Sequence, residues 1–247
     1  MRRKLLVLAI GLTGCATAHK ESFSGRPDSG MTIGDSNNNN PDADMHIDAM
    51  IDGPPMGGGT QTLSQTTANN DTQVGLACGA ANTTTSWTSR NSYYRVFQLS
   101  NYGINGTFHV TGIDFIVSAA ANSPTLNIGV GSYNGTTGGN TINTAGISLT
   151  QTTTFTPTDT STAVPQHIDI ATDVTGNLIV EIDQGTAGTA TTPLMFYIGA
   201  NEAGESAPGY ISSADCSLTT PTSMDSEAQM QATPTHANMV LTVTGNS

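Results

Sequence analysis

HVTGIDFIV, residues 109–117, carries an alternation of apolar and polar residues that changes phase midway. Phe108 and Val110 are even-numbered, whereas Ile113, Phe115 and Val117 are odd. Alternation with a period of two marks a strand with one buried face. One extra residue at Thr111-Gly112 accounts for the slip as a β-bulge, where glycine tolerates the backbone that a bulge requires. A bulge bends its strand, as the corners of a two-sheet sandwich require.

Similar short alternations recur outward from this stretch. YYRVFQL, TLNIGVGSY, GISLTQTTTF, QHIDIAT, NLIVEID, LMFYIGA, GYISSA and NMVLTVTG each read as a strand, separated by Gly, Asn, Asp, Ser and Thr. In TLNIGVG, Leu126, Ile128 and Val130 share one face. In NLIVEID, Leu178, Val180 and Ile182 face inward, opposite Glu181 and Asp183. No stretch carries a helical period. Many short strands with turn signals between them indicate an all-β sandwich or barrel. Residues 73–247 are assigned to it, a length that buries about 70% of its unfolded surface in one domain.

The N-terminus has a different texture. Met1-Arg2-Arg3-Lys4 is basic, and Leu5 to Ile10 is an apolar run. That run is far shorter than the ~20 residues that cross a bilayer, so it reads as an export leader. The ending, Leu12-Thr13-Gly14-Cys15, resembles the bacterial lipobox. The resemblance implies a signal peptide over residues 1–14, cleavage before Cys15, and acylation of Cys15 on its sulfur and its new amino group. Several acyl chains anchor a protein stably, at about 0.8 kcal/mol per buried CH₂. An ordinary signal peptide with a chance cysteine is the competing reading. Ala16 stands where lipoproteins retained in the inner membrane carry aspartate, which points to the outer membrane or cell surface.

Residues 15–72 then read as a tether. DSNNNNPDADMHIDAMIDGPPMGGG clusters Asn, Asp, Pro and Gly without apolar periodicity, so burial does not offset chain entropy and disorder is expected. A coil of this length reaches on the order of 40 Å. Its aspartates lack the ligand spacing, turning glycine and closing glutamate of a calcium loop. Gly34-Asp35-Ser36 resembles a hydrolase nucleophile block, but poly-Asn follows where a folded α/β domain is needed.

With Cys15 assigned to lipid, Cys78 and Cys216 are an even pair in an exported chain and are expected to form a disulfide. The net charge is −12. After removal of the leader, only Lys20, Arg26, Arg90 and Arg95 oppose nineteen carboxylates, which excludes nucleic acid as a partner. Arg95, within a strand, is expected to pair with Asp or Glu.

Two sets of residues resemble a module of secreted and surface bacterial proteins. Asn91, Tyr93, Arg95 and Phe97 form the first set. Phe196, Ile198, Gly199, Asn201, Gly204, Tyr210, Cys216, Thr220, Pro221, His236 and Val243-Thr244-Gly245 form the second. The resemblance spans most of residues 70–247 and implies a jelly-roll-like β-sandwich, expected here with about eight to nine strands behind the tether. It brings no established activity. Ser217 departs from it, standing where glycine is expected.

Two side-chain groups are candidates for chemistry. Trp87, Tyr93, Tyr94 and Tyr102 lie near Arg90 and Arg95 and could stack on a sugar; the alternative is core packing. His109, Asp114, His167, Asp169, Glu181 and Asp183 alternate outward and would suit a divalent metal if their strands are neighbours. The alternative is ordinary outward polarity on half-exposed strands. Gly204-Glu205-Ser206-Ala207-Pro208 is not a nucleophile elbow, which ends in glycine and leads into a helix. No cofactor is expected. The expected class is a non-catalytic binding or adhesion lipoprotein, with membrane, glycan or protein as partner. A hydrolase or metal-dependent enzyme, and a structural envelope protein, are the alternatives.

Overall fold

The computed structural model describes residues 59–231 and 236–247. The leader, Cys15 and the tether through residue 58 lie outside the described residues. Strands β1 (Thr60–Ser64), β2 (Gly79–Ala81), β3 (Ser86–Thr88), β4 (Ser92–Gln98) and β5 (Thr107–Ala121) come first. Next are β6 (Leu126–Tyr133), β7 (Ile147–Phe155), β8 (Val164–Thr175), β9 (Asn177–Gln184) and β10 (Met195–Ile198). Then follow β11 (Ala200–Asn201), β12 (Gly209–Ser213), β13 (Leu218–Ser223), helix α1 (Met224–Gln231), β14 (Asn238–Met239) and β15 (Leu241–Asn246).

The all-β sandwich expected from the alternations is the one observed. A six-stranded antiparallel sheet runs β13-β12-β4-β9-β6-β7. A five-stranded sheet runs β1-β15-β5-β10, with β8 on the other edge of β5. These two sheets already hold eleven strands among the described residues, more than the eight to nine expected, and β2-β3 and β11-β14 form two further small two-stranded sheets. Every run read as a strand forms one. Leu126, Ile128, Val130, Leu178, Val180 and Ile182 supply the six-stranded sheet's side of the core. Phe108, Val110, Ile113, Phe115 and Val117 supply much of the other side. The β5 register against β15 shifts between Thr244 and Gly245, whose partners are Gly112 and Val110, which leaves Thr111 as the extra residue. A Cβ on Gly112 would sit 2.7 Å from His167 Cε1, so glycine also makes room for that ring.

Three expectations need correction. The domain begins before residue 73: β1 pairs with β15 along Thr60–Ser64, and Leu63 is buried in the core. Asp71 holds the following segment down, accepting from Gln73 N, Ala200 N and Ser118 Oγ. TQTLS offers one inward apolar residue, so nothing local marks it; its strand is set by its distant partner. Second, a helix exists. Met224 and Ala228 of α1 are buried, and Ser223 Oγ accepts from Ser226 N at its start. Two apolar anchors are too few to show as a period. Third, the stretch around Trp87, which is not among the runs read as strands, forms one: Trp87 sits half-buried in β3, paired with Ala80 of β2.

Cys78 and Cys216 are disulfide-bonded across 138 residues, with Cα atoms 6.0 Å apart. The bridge ties the segment before β2 to the short 3-10 turn Ala214–Cys216.

Candidate functional site

The two faces of the six-stranded sheet differ in kind. The inner face is core. On the outer face, the register places side chains in rows across the strands. Ser212, Ser92, Asp183, Asn127 and Thr154 form one row. Tyr210, Tyr94, Glu181, Gly129 and Thr152 form the next. Val96, Ile179, Gly131 and Leu149 form a third. The face thus grades from polar to apolar along the strands.

The apolar end is covered. Val96, Ile179, Tyr133 and Tyr210 pack with Ile142 from the connection between β6 and β7. That connection is held by Tyr210 Oη donating to Gly139 O at 3.1 Å and by Ile142 N donating to Pro221 O at 3.1 Å. The polar end stays open: Asn127, Thr152 and Thr154 are exposed, and Ser92, Glu181 and Ser212 are half-buried.

Asp183 organises this end. Arg90 grips it with two bonds, Nε to Oδ1 at 3.0 Å and Nη2 to Oδ2 at 2.8 Å. Ser92 Oγ donates to Oδ1 at 2.8 Å and Asn127 Nδ2 to Oδ2 at 3.3 Å. Burial pushes the Asp183 carboxyl up, but these donors together outweigh it and hold the group below its ordinary value. The same pairing raises Arg90, whose side chain is otherwise 62% exposed. Glu181 behaves oppositely. Burial raises its carboxyl, Asp183 adds to the rise, and the Tyr94 hydroxyl and Arg90 only moderate it. Glu181 is therefore a half-buried acceptor with no cation bonded directly to it among the described residues.

The other candidates fall elsewhere. Tyr93 is inside the sandwich, its ring edge-on to Phe196 at 5.8 Å and its hydroxyl donating to Leu76 O. Tyr102 packs against Phe97 and donates to Ser64 O. Tyr94 lies on the outer face, but its ring is buried and offers no flat platform. Of the six metal candidates, Glu181 and Asp183 belong to the six-stranded sheet and the other four to the five-stranded sheet. There, His167 lies between Asp114 (2.7 Å from Nδ1) and Asp169 (3.2 Å from Nε2), so both ring nitrogens are engaged. The bond to Asp114 raises the His167 pKa above its ordinary value. His109 pairs separately with Asp173 at 2.6 Å. Among the described residues no group of three or more His, Cys, Asp or Glu has the arrangement of a metal site.

No protein-family model, curated protein or solved structure matches the chain. The residues that carry the resemblance noted in the sequence do structural work. Asn91 accepts from Cys78 N and donates to Cys78 O and Ser89 O. Asn201 donates to Ala68 O and Asn70 O. Arg95 points into the core, with its side chain 0% exposed. It donates to Glu205 Oε2 (3.0 Å), Ala207 O (3.0 Å) and Met239 O (2.8 Å). Its pairing with a carboxylate is as expected. These groups fasten long connections to the sandwich, so the motif specifies architecture. The open polar end of the six-stranded sheet lies outside it, and Ser92, Asn127 and Ser212 carry no motif by which to be found.

Proposed function

We propose that this protein is an exported lipoprotein, anchored through Cys15 at the outer membrane or cell surface, which presents its β-sandwich to bind a neutral, hydroxyl-rich ligand without catalysis. The observation that carries the binding reading is the open polar end of the six-stranded sheet. Arg90 and Asn127 supply donors, Glu181 supplies an acceptor, and Ser92, Ser212, Thr152 and Thr154 supply hydroxyls that do both. Such a mixture matches the adjacent hydroxyls of a glycan. Both oxygens of Asp183 are already bonded, and this suits a positioning role better than proton transfer. The export reading is supported by the lipobox-like LTGC and by the Cys78–Cys216 bridge, a bond that persists in oxidising compartments.

Changing Cys15 to serine tests the anchor. The wild-type chain is expected in the membrane fraction after a high-salt wash, and Cys15→Ser in the soluble fraction. Retention of the variant on washed membranes would sink the anchor.

A further inference from the structure

Helix α1 turns one face to the core. Met224, Glu227 and Ala228 are spaced to share that face, so Glu227 is carried inward with two buried apolar neighbours. Only 8% of Glu227 is exposed. Its carboxyl has no hydrogen bond and no cation among the described residues. Burial, with nothing to oppose it, pushes that carboxyl above its ordinary value. Glu227 lines a recess of about 270 Å³, measured to its open mouth, together with Leu76, Ala77, Ile211, Leu218 and the Cys78–Cys216 bridge. It is the one titratable group in that lining, and the other side chains there are apolar. The walls come from separate parts of the chain. The bridge fixes two of them to each other, the segment before β2 and the turn after β12.

We infer that this recess binds a primary ammonium group on a short apolar stem, with Glu227 as the counter-ion. Charge selects the head group. A carboxylate taken out of water is costly unless a cation or several donors meet it. An ammonium brings a positive charge and three N–H donors at once. An anion is repelled, and a purely apolar guest leaves the carboxylate bare. The fold has no lysine of its own to offer: both lysines of the chain, Lys4 and Lys20, lie outside the described residues. The walls select the stem, because Leu76, Ile211 and Leu218 offer methylene groups only apolar contact. Size limits it. Sites for drug-sized ligands run from about 300 to 1,000 Å³, and this recess falls below that range even with its mouth included, so a stem of a few carbons fits. A free alkylamine and the lysine side chain of another protein both present this chemistry. The inference is independent of the anchor, and the recess shares no residue with the open polar end of the six-stranded sheet.

An NMR titration of the isotope-labelled intact chain at about pH 8, where alkylamines keep their proton, tests it. n-Butylamine is expected to bind saturably, with a Kd on the order of 1–10 mM, and to shift the amides of Leu76, Ile211 and Leu218. n-Butanol has the same stem without the charge and should bind about tenfold or more weakly. Glu227→Gln should weaken n-butylamine by a similar factor. Glutamine keeps the shape and removes a buried charge, so the thermal midpoint should not fall. The comparison of amine with alcohol on wild type does not rest on the variant at all. Nα-acetyl-lysine methylamide separates the two sources. Binding as tight as that of n-butylamine assigns the recess to a lysine side chain of a protein partner, and binding of n-butylamine alone assigns it to a free amine. No saturable shift with either amine up to ~50 mM, n-butanol bound as tightly as n-butylamine, or Glu227→Gln that binds n-butylamine as wild type does, would overturn the inference.

Discussion

Arg95→Ala is expected to lower the folding stability of the domain by about 3–5 kcal/mol, the cost of breaking a buried ion pair from one side. The guanidinium is inside the core, and it donates to a carboxylate and to two backbone carbonyls on separate connections. Truncation leaves Ala207 O and Met239 O without that donor and leaves the Glu205 carboxylate without its cation. Glu205 adds a pH signature. Burial pushes its carboxyl up to about 7 despite Arg95. The folded chain therefore holds this proton more tightly than the unfolded chain, where the ordinary value is 4.5. Stability from this group is fully present below that value and is lost as pH rises through about 7, on the order of 2–3 kcal/mol. Glu205→Gln should flatten the profile over that window, and Arg95→Ala should move the loss to higher pH. Urea unfolding across pH reads both effects. A loss below ~1 kcal/mol for Arg95→Ala would mean that this buried network does not hold the connections.

Removal of the disulfide is the second large effect. With Cys78 and Cys216 both changed to serine, the closed loop of 138 residues opens. The chain-entropy argument puts the loss at about 4–5 kcal/mol, less any strain relieved in the native state. The effect should be felt beyond the two sulfurs. Cys78 N and O are both bonded to Asn91, so loosening Cys78 also frees the segment leading into β2. Reduction of the wild type should reproduce the double variant's unfolding midpoint. Non-reducing peptide mapping that finds two free thiols in protein isolated without reductant would contradict the bridge.

What was legible in the sequence was legible for local reasons. Leu178, Val180 and Ile182 announce an inward face by spacing alone, and the phase slip at Gly112 announces a bulge, because both signals lie within one strand. The cysteine pair and the carboxylate partner of Arg95 follow from chemistry that admits few solutions. β1 and α1 were not legible. Leu63 in β1 and the pair Met224 and Ala228 in α1 are too few to set a period, and each element is stabilised by neighbours far away in the chain. The candidate site was half legible. Glu181 and Asp183 read as outward from their own strand, but Ser92 and Asn127 join them only because β4 and β6 flank β9, an order no local pattern encodes. The same blindness grouped Glu181 and Asp183 with His109 and His167, which the topology places on the other sheet.

Binding of the intact protein to an array of neutral oligosaccharides tests the central claim most directly. Wild type should bind, and Glu181→Gln and Asn127→Ala should each weaken binding about tenfold or more with unchanged thermal midpoints. His109→Ala, on the outer face of the opposite sheet, should bind as wild type does. A wild type that binds no neutral oligosaccharide, or variants at Glu181 and Asn127 that bind as tightly as wild type, would contradict the assignment of this face.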